Sequence, residues 1–161
     1  MARAPVFYSF HFANDVFRVQ QIRNMGVIDG NEPVSASAWE EVKKTGDAAV
    51  EKWIDENMAY RRCVIVLIGS ETANRKWVKY EIKKAWNDSR GLFGIYIHSL
   101  KCPRNGKCEK GSNPFANFNV GDTSLSRLVN CYNPPADDAY NYIADNLDSW
   151  VTTAIADAKR R

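Results

Sequence analysis

Residues 61–86 read RRCVIVLIGSETANRKWVKYEIKKAW, and the reading of this stretch decides the fold. Cys63 to Ile68 is a short apolar run rich in β-branched residues, closed by Gly69-Ser70. A strand buried on both faces has that composition. Ser70, Thr72 and Asn74 offer N-cap oxygens ahead of a charged amphipathic segment, which predicts a helix. On that helix Val78, Ile82 and Ala85 form one apolar stripe. Trp77 and Glu81, four residues apart, fall together along its border. A carboxylate just past the carboxyl end of a buried strand stands where open α/β sheets place their ligands. Glu81 is therefore the first candidate for chemistry.

The same alternation extends on both sides. Val6 to His11 (VFYSFH) reads as a first strand, and Asn14 or Asp15 as the cap of a helix whose stripe is Phe17, Ile22 and Met25. Gly26 ends that helix through a left-handed residue. Val27-Ile28 reads as a short second strand, and Asp29 to Ala38 (DGNEPVSASA) as a turn-rich, mobile loop beside the site. Trp39 to Thr45 fits either a short helix or the far end of that loop. Asp47 opens a clearer helix, with Val50, Trp53, Ile54 and Met58 at helical spacing.

Beyond the central stretch, Gly91 to His98 (GLFGIYIH) is a strand whose two glycines allow close backbone approach. Leu100 to Val120 reads as one long loop, and loops of that length in compact domains are often functional. Leu128 to Tyr132 is a last strand. A final helix over about residues 135–159 carries Ala139, Ile143, Leu147, Trp150, Ala154 and Ile155 on one face. The expected architecture is a three-layer α/β fold, flavodoxin-like in outline, with a central mostly parallel sheet and helices on both faces. No repeat, low-complexity tract or linker divides it, so residues 1–161 read as one domain with the C-terminal helix packed on it.

Composition narrows the function. With 161 residues, 45% of them apolar and 25% charged, the chain is a soluble globular domain able to bury a core. A formal charge of +3, with no basic run interleaved with aromatics, gives no reason to expect a nucleic-acid partner. The longest apolar runs are strand-sized, and the N-terminal one is interrupted by Ser9 and His11, so neither a membrane span nor a signal peptide is expected. Cys63, Cys102, Cys108 and Cys131 include no CxxC pair, and the chain's two histidines are not read as joining them in a zinc set. Reduced thiols in a cytoplasmic protein, without a metal site, are the expectation; Cys102 and Cys108 share a loop and are placed to pair on oxidation. The nucleotide fingerprints GxGxxG and GxxxxGK[ST] are absent, as is the hydrolase GxSxG.

FYSFH (7–11), SASAWEEVKKTGD (35–47), VLIGSETANRKWVKYEI (66–82) and GSNPF (111–115) occur in that order. Together they resemble TIR domains, and more closely the TIR-like sensor subunits of bacterial Thoeris antiphage defence. The resemblance implies a TIR-like fold and an NAD⁺ hydrolase or ADP-ribosyl cyclase, which cleaves nicotinamide from NAD⁺ and makes a cyclic ADP-ribose-type signal. NAD⁺ is then the substrate, and no resident cofactor is implied. Glu81 matches the family's key carboxylate. Ser9, Phe10 and His11 match the rim of the first strand, and Asn113 matches a pocket position. Trp39 and Trp77 become neighbours of the substrate, and Phe10, Trp39, Trp77 and Phe115 are aromatic surfaces available for stacking on its bases. The resemblance also implies a separate effector that senses the product, a phage-derived activator, and self-association.

Other readings stand beside this one. A Glu surrounded by Lys76, Lys79, Lys83 and Lys84 is ordinarily a solvated ion-pair partner. Many TIR-type domains are non-catalytic scaffolds that signal by assembly. A flavodoxin-like nucleotide binder would share only the sheet topology.

Overall fold

A computed structural model describes residues 5–26, 29–30, 36–101 and 109–161, with residues 12–14, 29–30 and 36–40 described by their backbone alone. In chain order the elements are β1 (Pro5–Ser9), α1 (Phe12–Asn24), β2 (Asp29–Gly30), α2 (Ala36–Thr45), α3 (Asp47–Met58), β3 (Cys63–Ile68), α4 (Lys76–Asn87) and β4 (Gly91–Tyr96). A 3₁₀ turn (Pro114–Asn117), β5 (Asn119–Val120), β6 (Thr123–Ser124), a second 3₁₀ turn (Leu125–Arg127), β7 (Cys131–Tyr132) and α5 (Ala139–Ala158) complete it.

The main sheet runs β2-β1-β3-β4-β7, with every pairing parallel. Counted along the chain, its strands stand in the order 2-1-3-4-5, the flavodoxin-like arrangement. The winding reverses between β1 and β3, so their carboxyl ends flank the crevice where such sheets bind ligands.

Alternation along the strands sorts the core into two layers. Cys63, Ile65 and Leu67 of β3 join Val19 and Ile22 of α1 and Ile143, Leu147 and Val151 of α5 on one face. Val64, Val66 and Ile68 join Val50 and Ile54 of α3 and Val78, Ile82 and Ala85 of α4 on the other. All six β3 residues are buried, each contributing about 1.5–3 kcal/mol when it is a large aliphatic. The sequence-based expectation of an α/β sheet with helices on both faces holds. Gly94 shows why glycine was needed in β4: a Cβ there would lie 2.9 Å from Ile68 Cδ1 and 3.0 Å from Cys131 Sγ.

Several boundaries differ from expectation. β1 stops at Ser9, and His11 is the N-cap of α1, its carbonyl accepting from the Asp15 amide at 3.0 Å. Neither Asn14 nor Asp15 caps that helix. Asp15 is instead buried inside its first turn, and Phe17, expected on the inner stripe, is exposed. Gly26 does leave α1 with positive φ, at 68°. The expected second strand at Val27-Ile28 lies outside the described residues; β2 follows it at Asp29–Gly30. The expected 29–38 loop yields its first two residues to β2 and its last three to α2, which also resolves Trp39–Thr45 as helix.

Before α4 the N-cap is Arg75, with no side-chain cap. Thr72 Oγ1 accepts instead from the Gly69 amide at 2.8 Å, so the hydroxyl shapes the turn after β3 rather than the helix end. β4 ends at Tyr96, leaving His98 beyond it. The 100–120 stretch contains a 3₁₀ turn and leads into the β5–β6 hairpin. β7 is only Cys131–Tyr132, and Leu128 is exposed. α5 begins at Ala139, because residues 135–138 form a turn in which the Asp138 amide donates to the Pro135 carbonyl. Among the described residues no helix is long and apolar enough to cross a membrane.

Candidate active site

Ser9 is the last residue of β1, and Phe7, two residues earlier, faces the α3/α4 layer. The two-residue period of a strand puts Ser9 on that same face. Glu81 lies three residues past Val78 and four before Ala85, so the helical period turns it inward with the apolar stripe. The two side chains meet at the switch point of the sheet. Ser9 Oγ donates to Glu81 Oε1 at 2.7 Å, and both residues are buried.

Two of the four lysines that made Glu81 look like a surface ion-pair partner are engaged elsewhere, and none of the four pairs with it among the described ion pairs. Lys76 pairs with Asp47, and Lys84 with Asp55 and Asp88. Removed from water, the Glu81 carboxyl is pushed up to about 8 by burial, against a smaller pull downward from the Ser9 hydrogen bond. It is therefore held largely protonated at neutral pH, ready to ionise when a cation enters beside it. A buried carboxyl with a raised pKa at the switch point of such a sheet is a candidate for chemistry.

The rim is built from three other segments. His11 Nδ1 lies 3.8 Å from Glu71 Oε2 in the turn after β3. Burial, with Arg75 and then Lys43 on the same side and Glu71 opposing, lowers the His11 pKa, so the imidazole is neutral at pH 7. Gly111 passes so close over this turn that a Cβ on it would sit 2.0 Å from the Gly69 carbonyl oxygen. Asn117 Nδ2 donates to the Ala73 carbonyl at 3.0 Å, fastening the same strap of chain to the same turn.

The remaining expected site residues are less directly connected. Phe10 is half-buried and packs on the α1/α5 side of the core, as alternation from Ser9 requires. Trp77 is half-buried toward α3, edge-on to Tyr80 with centroids 5.7 Å apart. Asn113 Oδ1 accepts from the Phe115 amide at 2.9 Å and caps the 3₁₀ turn. Its side chain also bonds Cys131, whose thiol burial pushes up to about 12 against that bond. Trp39 lies in α2, where only the backbone is described, and Cys102 and Cys108 lie outside the described residues. Phe115 is corrected outright: it is fully buried in the α3/α4 core and has no face to offer a base.

Sequence reasoning missed Asp15 and Arg18, which form a buried ion pair at 2.9 Å behind the β3–α4 turn. An Asp-x-x-Arg spacing on one helix face was the available signal. The Thr72 hydroxyl, expected from the sequence as an N-cap oxygen, serves the Gly69 amide instead. Among the described residues, no group of three or more His, Cys, Asp or Glu is gathered to hold a metal.

A family model described as "Thoeris protein ThsB, TIR-like domain" matches residues 7–102. The chain belongs to this TIR-like family. The matched span holds Ser9, Phe10, His11, Trp39, Trp77 and Glu81, whereas Asn113 lies beyond it. A Bacillus cereus (strain MSX-D12) protein named "Putative cyclic ADP-D-ribose synthase ThsB1" is 39% identical over 132 residues. That alignment covers 79% of this chain and 69% of the relative. In this ThsB-type TIR-like domain the Ser9–Glu81 contact thus joins the end of β1 to α4 at the switch point of a flavodoxin-like sheet.

Proposed function

We propose that this chain is an NAD⁺ hydrolase and ADP-ribosyl cyclase that turns NAD⁺ into nicotinamide and a cyclic ADP-ribose-type signal in antiphage defence. The observation that carries this reading is the buried Glu81 carboxyl, bonded to Ser9 at the switch point of the sheet. The relative named for cyclic ADP-D-ribose synthesis supports the choice of substrate and product.

The chemistry asks for one carboxylate. The bond between the ribose carbon and the pyridinium nitrogen breaks, and its electron pair stays on nitrogen. Nicotinamide therefore leaves neutral and needs no general acid. The ribose left behind is oxocarbenium-like, and an ionised Glu81 beside it stabilises the developing charge. Capture by water gives ADP-ribose and a proton. Capture by an adenosine oxygen or nitrogen held against the same carbon gives the cyclic isomer, provided water is kept out. The strap over Gly69 forms one wall for that purpose.

NAD⁺ is a substrate here, and the mechanism calls on no resident cofactor or metal. Ser9 holds Glu81, His11 and Phe10 line the strand-one rim, and Trp39, Trp77 and Asn113 are outer neighbours of the dinucleotide. The product acts on a separate effector, a phage-derived component activates the enzyme, and the working form is self-associated. A scaffold that signals only by assembly would have no use for a buried carboxyl with a raised pKa. The test is to incubate the purified protein with NAD⁺, alone and with lysate of phage-infected cells, and to weigh the product. A product one water lighter than ADP-ribose is expected. Intact NAD⁺ under both conditions contradicts the proposal.

A further inference from the structure

We propose that Asp15 and Arg18 are positioning residues for Glu81, retained for the geometry of the rim rather than for the stability of the fold. The inference rests on the reading of Glu81 as the site carboxylate. The pair sits where the carboxyl ends of three strands meet. The Asp15 amide donates to the His11 carbonyl at 3.0 Å, just past β1. Its carboxylate receives Arg18 Nη1 at 2.9 Å. The same carboxylate lies against Gly69, directly after β3, so closely that a Cβ on Gly69 would be 2.1 Å from Asp15 Oδ2. Arg18 Nε donates to the Leu100 carbonyl at 2.9 Å, where the chain has left β4. Gln21, one turn further along α1, donates to the carbonyl of Lys101.

Two charges at 0% and 1% exposure are an expensive way to join three strand ends. Replacing a buried ion pair by packed apolar side chains is commonly neutral or stabilising, so stability gives a weak reason for the pair. Geometry gives a stronger one. Gly69 begins the turn that leads into α4 and so to Glu81, and Gly111 of the strap rests on the other side of that residue. Gly69 is thus gripped between the Asp15 carboxylate and the strap. Ser9 stands two residues before His11, whose carbonyl takes the first backbone bond of the helix that carries the pair. The ion pair therefore bears directly on the turn that leads to Glu81, from the first turns of the helix that follows Ser9. An apolar pair would fill the space but specify no direction, whereas the planar guanidinium serves carboxylate and carbonyl at fixed angles.

The test compares wild type with the double variant Asp15→Leu/Arg18→Met in three measurements: thermal melting, nicotinamide release from NAD⁺, and titration of the Glu81 carboxyl by ¹³C NMR. A melting temperature close to wild type, kcat lower by at least tenfold with KM within about threefold, and a displaced Glu81 titration are expected. A folded double variant with wild-type kcat and an unmoved Glu81 titration overturns the proposal. If the double variant does not fold, Arg18→Lys and Gly69→Ala decide. The first keeps the charge but loses the fork, and the second pushes on the carboxylate from the turn side. Each should displace the Glu81 titration, and an unmoved titration in both overturns the proposal. The titration needs no turnover, so a protein inert toward NAD⁺ refutes the proposed function while leaving this inference open to judgement by its own readout.

Discussion

Ser9 and Glu81 lie 72 residues apart in the chain, yet the hydroxyl of one donates to the carboxyl of the other at 2.7 Å. The bond joins the tip of β1 to the inner face of α4 across the point where the sheet reverses its winding. It leaves Glu81 with one firm partner and little water, which is why burial dominates its acidity. The behaviour of the site with pH follows from that balance.

In the proposed mechanism the ionised form of Glu81 is the one that steadies an oxocarbenium centre. With the free carboxyl pushed up to about 8, kcat/KM for NAD⁺ should climb as pH rises from 6 and level off above that value. The limb in kcat should lie at lower pH, because the cationic pyridinium ribose favours the carboxylate in the complex. NAD⁺ binding near pH 7 should release a proton, measurable by calorimetry in buffers of different ionisation enthalpy. A kcat/KM flat across this range would remove ionised Glu81 from the mechanism.

Ser9→Ala deletes the hydrogen bond that pulls the Glu81 pKa down. The limb in kcat/KM should therefore move to higher pH. Turnover at pH 7 should fall by about tenfold for each pH unit of that displacement, the equivalent of about 1.4 kcal/mol. Much of the loss should return at alkaline pH. A limb displaced toward acid would show that Ser9 holds the protonated form instead.

Folding stability should carry the same signature. The folded pKa of Glu81 exceeds that of the unfolded chain, so the native state binds the extra proton between about 4.5 and 8. The contribution is complete below the lower value and is lost as pH rises toward the upper one. Glu81→Gln, which cannot ionise, should match wild type near pH 4.5 and exceed it above pH 8. At about 1.4 kcal/mol per pH unit the gap is bounded at a few kcal/mol. Denaturant melts of both proteins across that range measure it, and a gap that does not widen contradicts the assignment of the raised pKa.

Gly111→Ala places a methyl only 2.0 Å from the Gly69 carbonyl oxygen. Backbone faces backbone there, so the strap has to lift. Overpacking of this sort costs about 1–3 kcal/mol, and with Phe115 anchoring the strap in the α3/α4 core the lift is local to Gly111. Product partition should change more than stability: linear ADP-ribose should gain over the cyclic isomer as water reaches the ribose. Chromatography of the products checks this, and an unchanged ratio argues against the strap as a wall.

Much of this was legible in the chain, and the exceptions share a cause. The buried strand Cys63–Ile68, the stripe Val78–Ile82–Ala85 and the helix end at Gly26 follow from local pattern, and each appears as read. The seat of Glu81 was legible only as a border position, because its burial depends on Ser9 arriving from a distant strand. Asp15 and Phe17 exchanged their expected places for the same reason. A charged pair was preferred inside by contacts to Gly69 and Leu100 that no window of sequence contains. Phe115, one residue after a turn-like Asn-Pro, gave no local sign that it closes the α3/α4 core.

The central claim is that one carboxylate does the chemistry, and Glu81→Gln tests it most directly. The amide keeps the size and the hydrogen bond to Ser9 but cannot carry the charge. Nicotinamide release from NAD⁺, followed at pH 8 under conditions in which the wild type is active, should fall by about 10²-fold or more, with the variant folded. Release by Glu81→Gln at the wild-type rate would contradict the account.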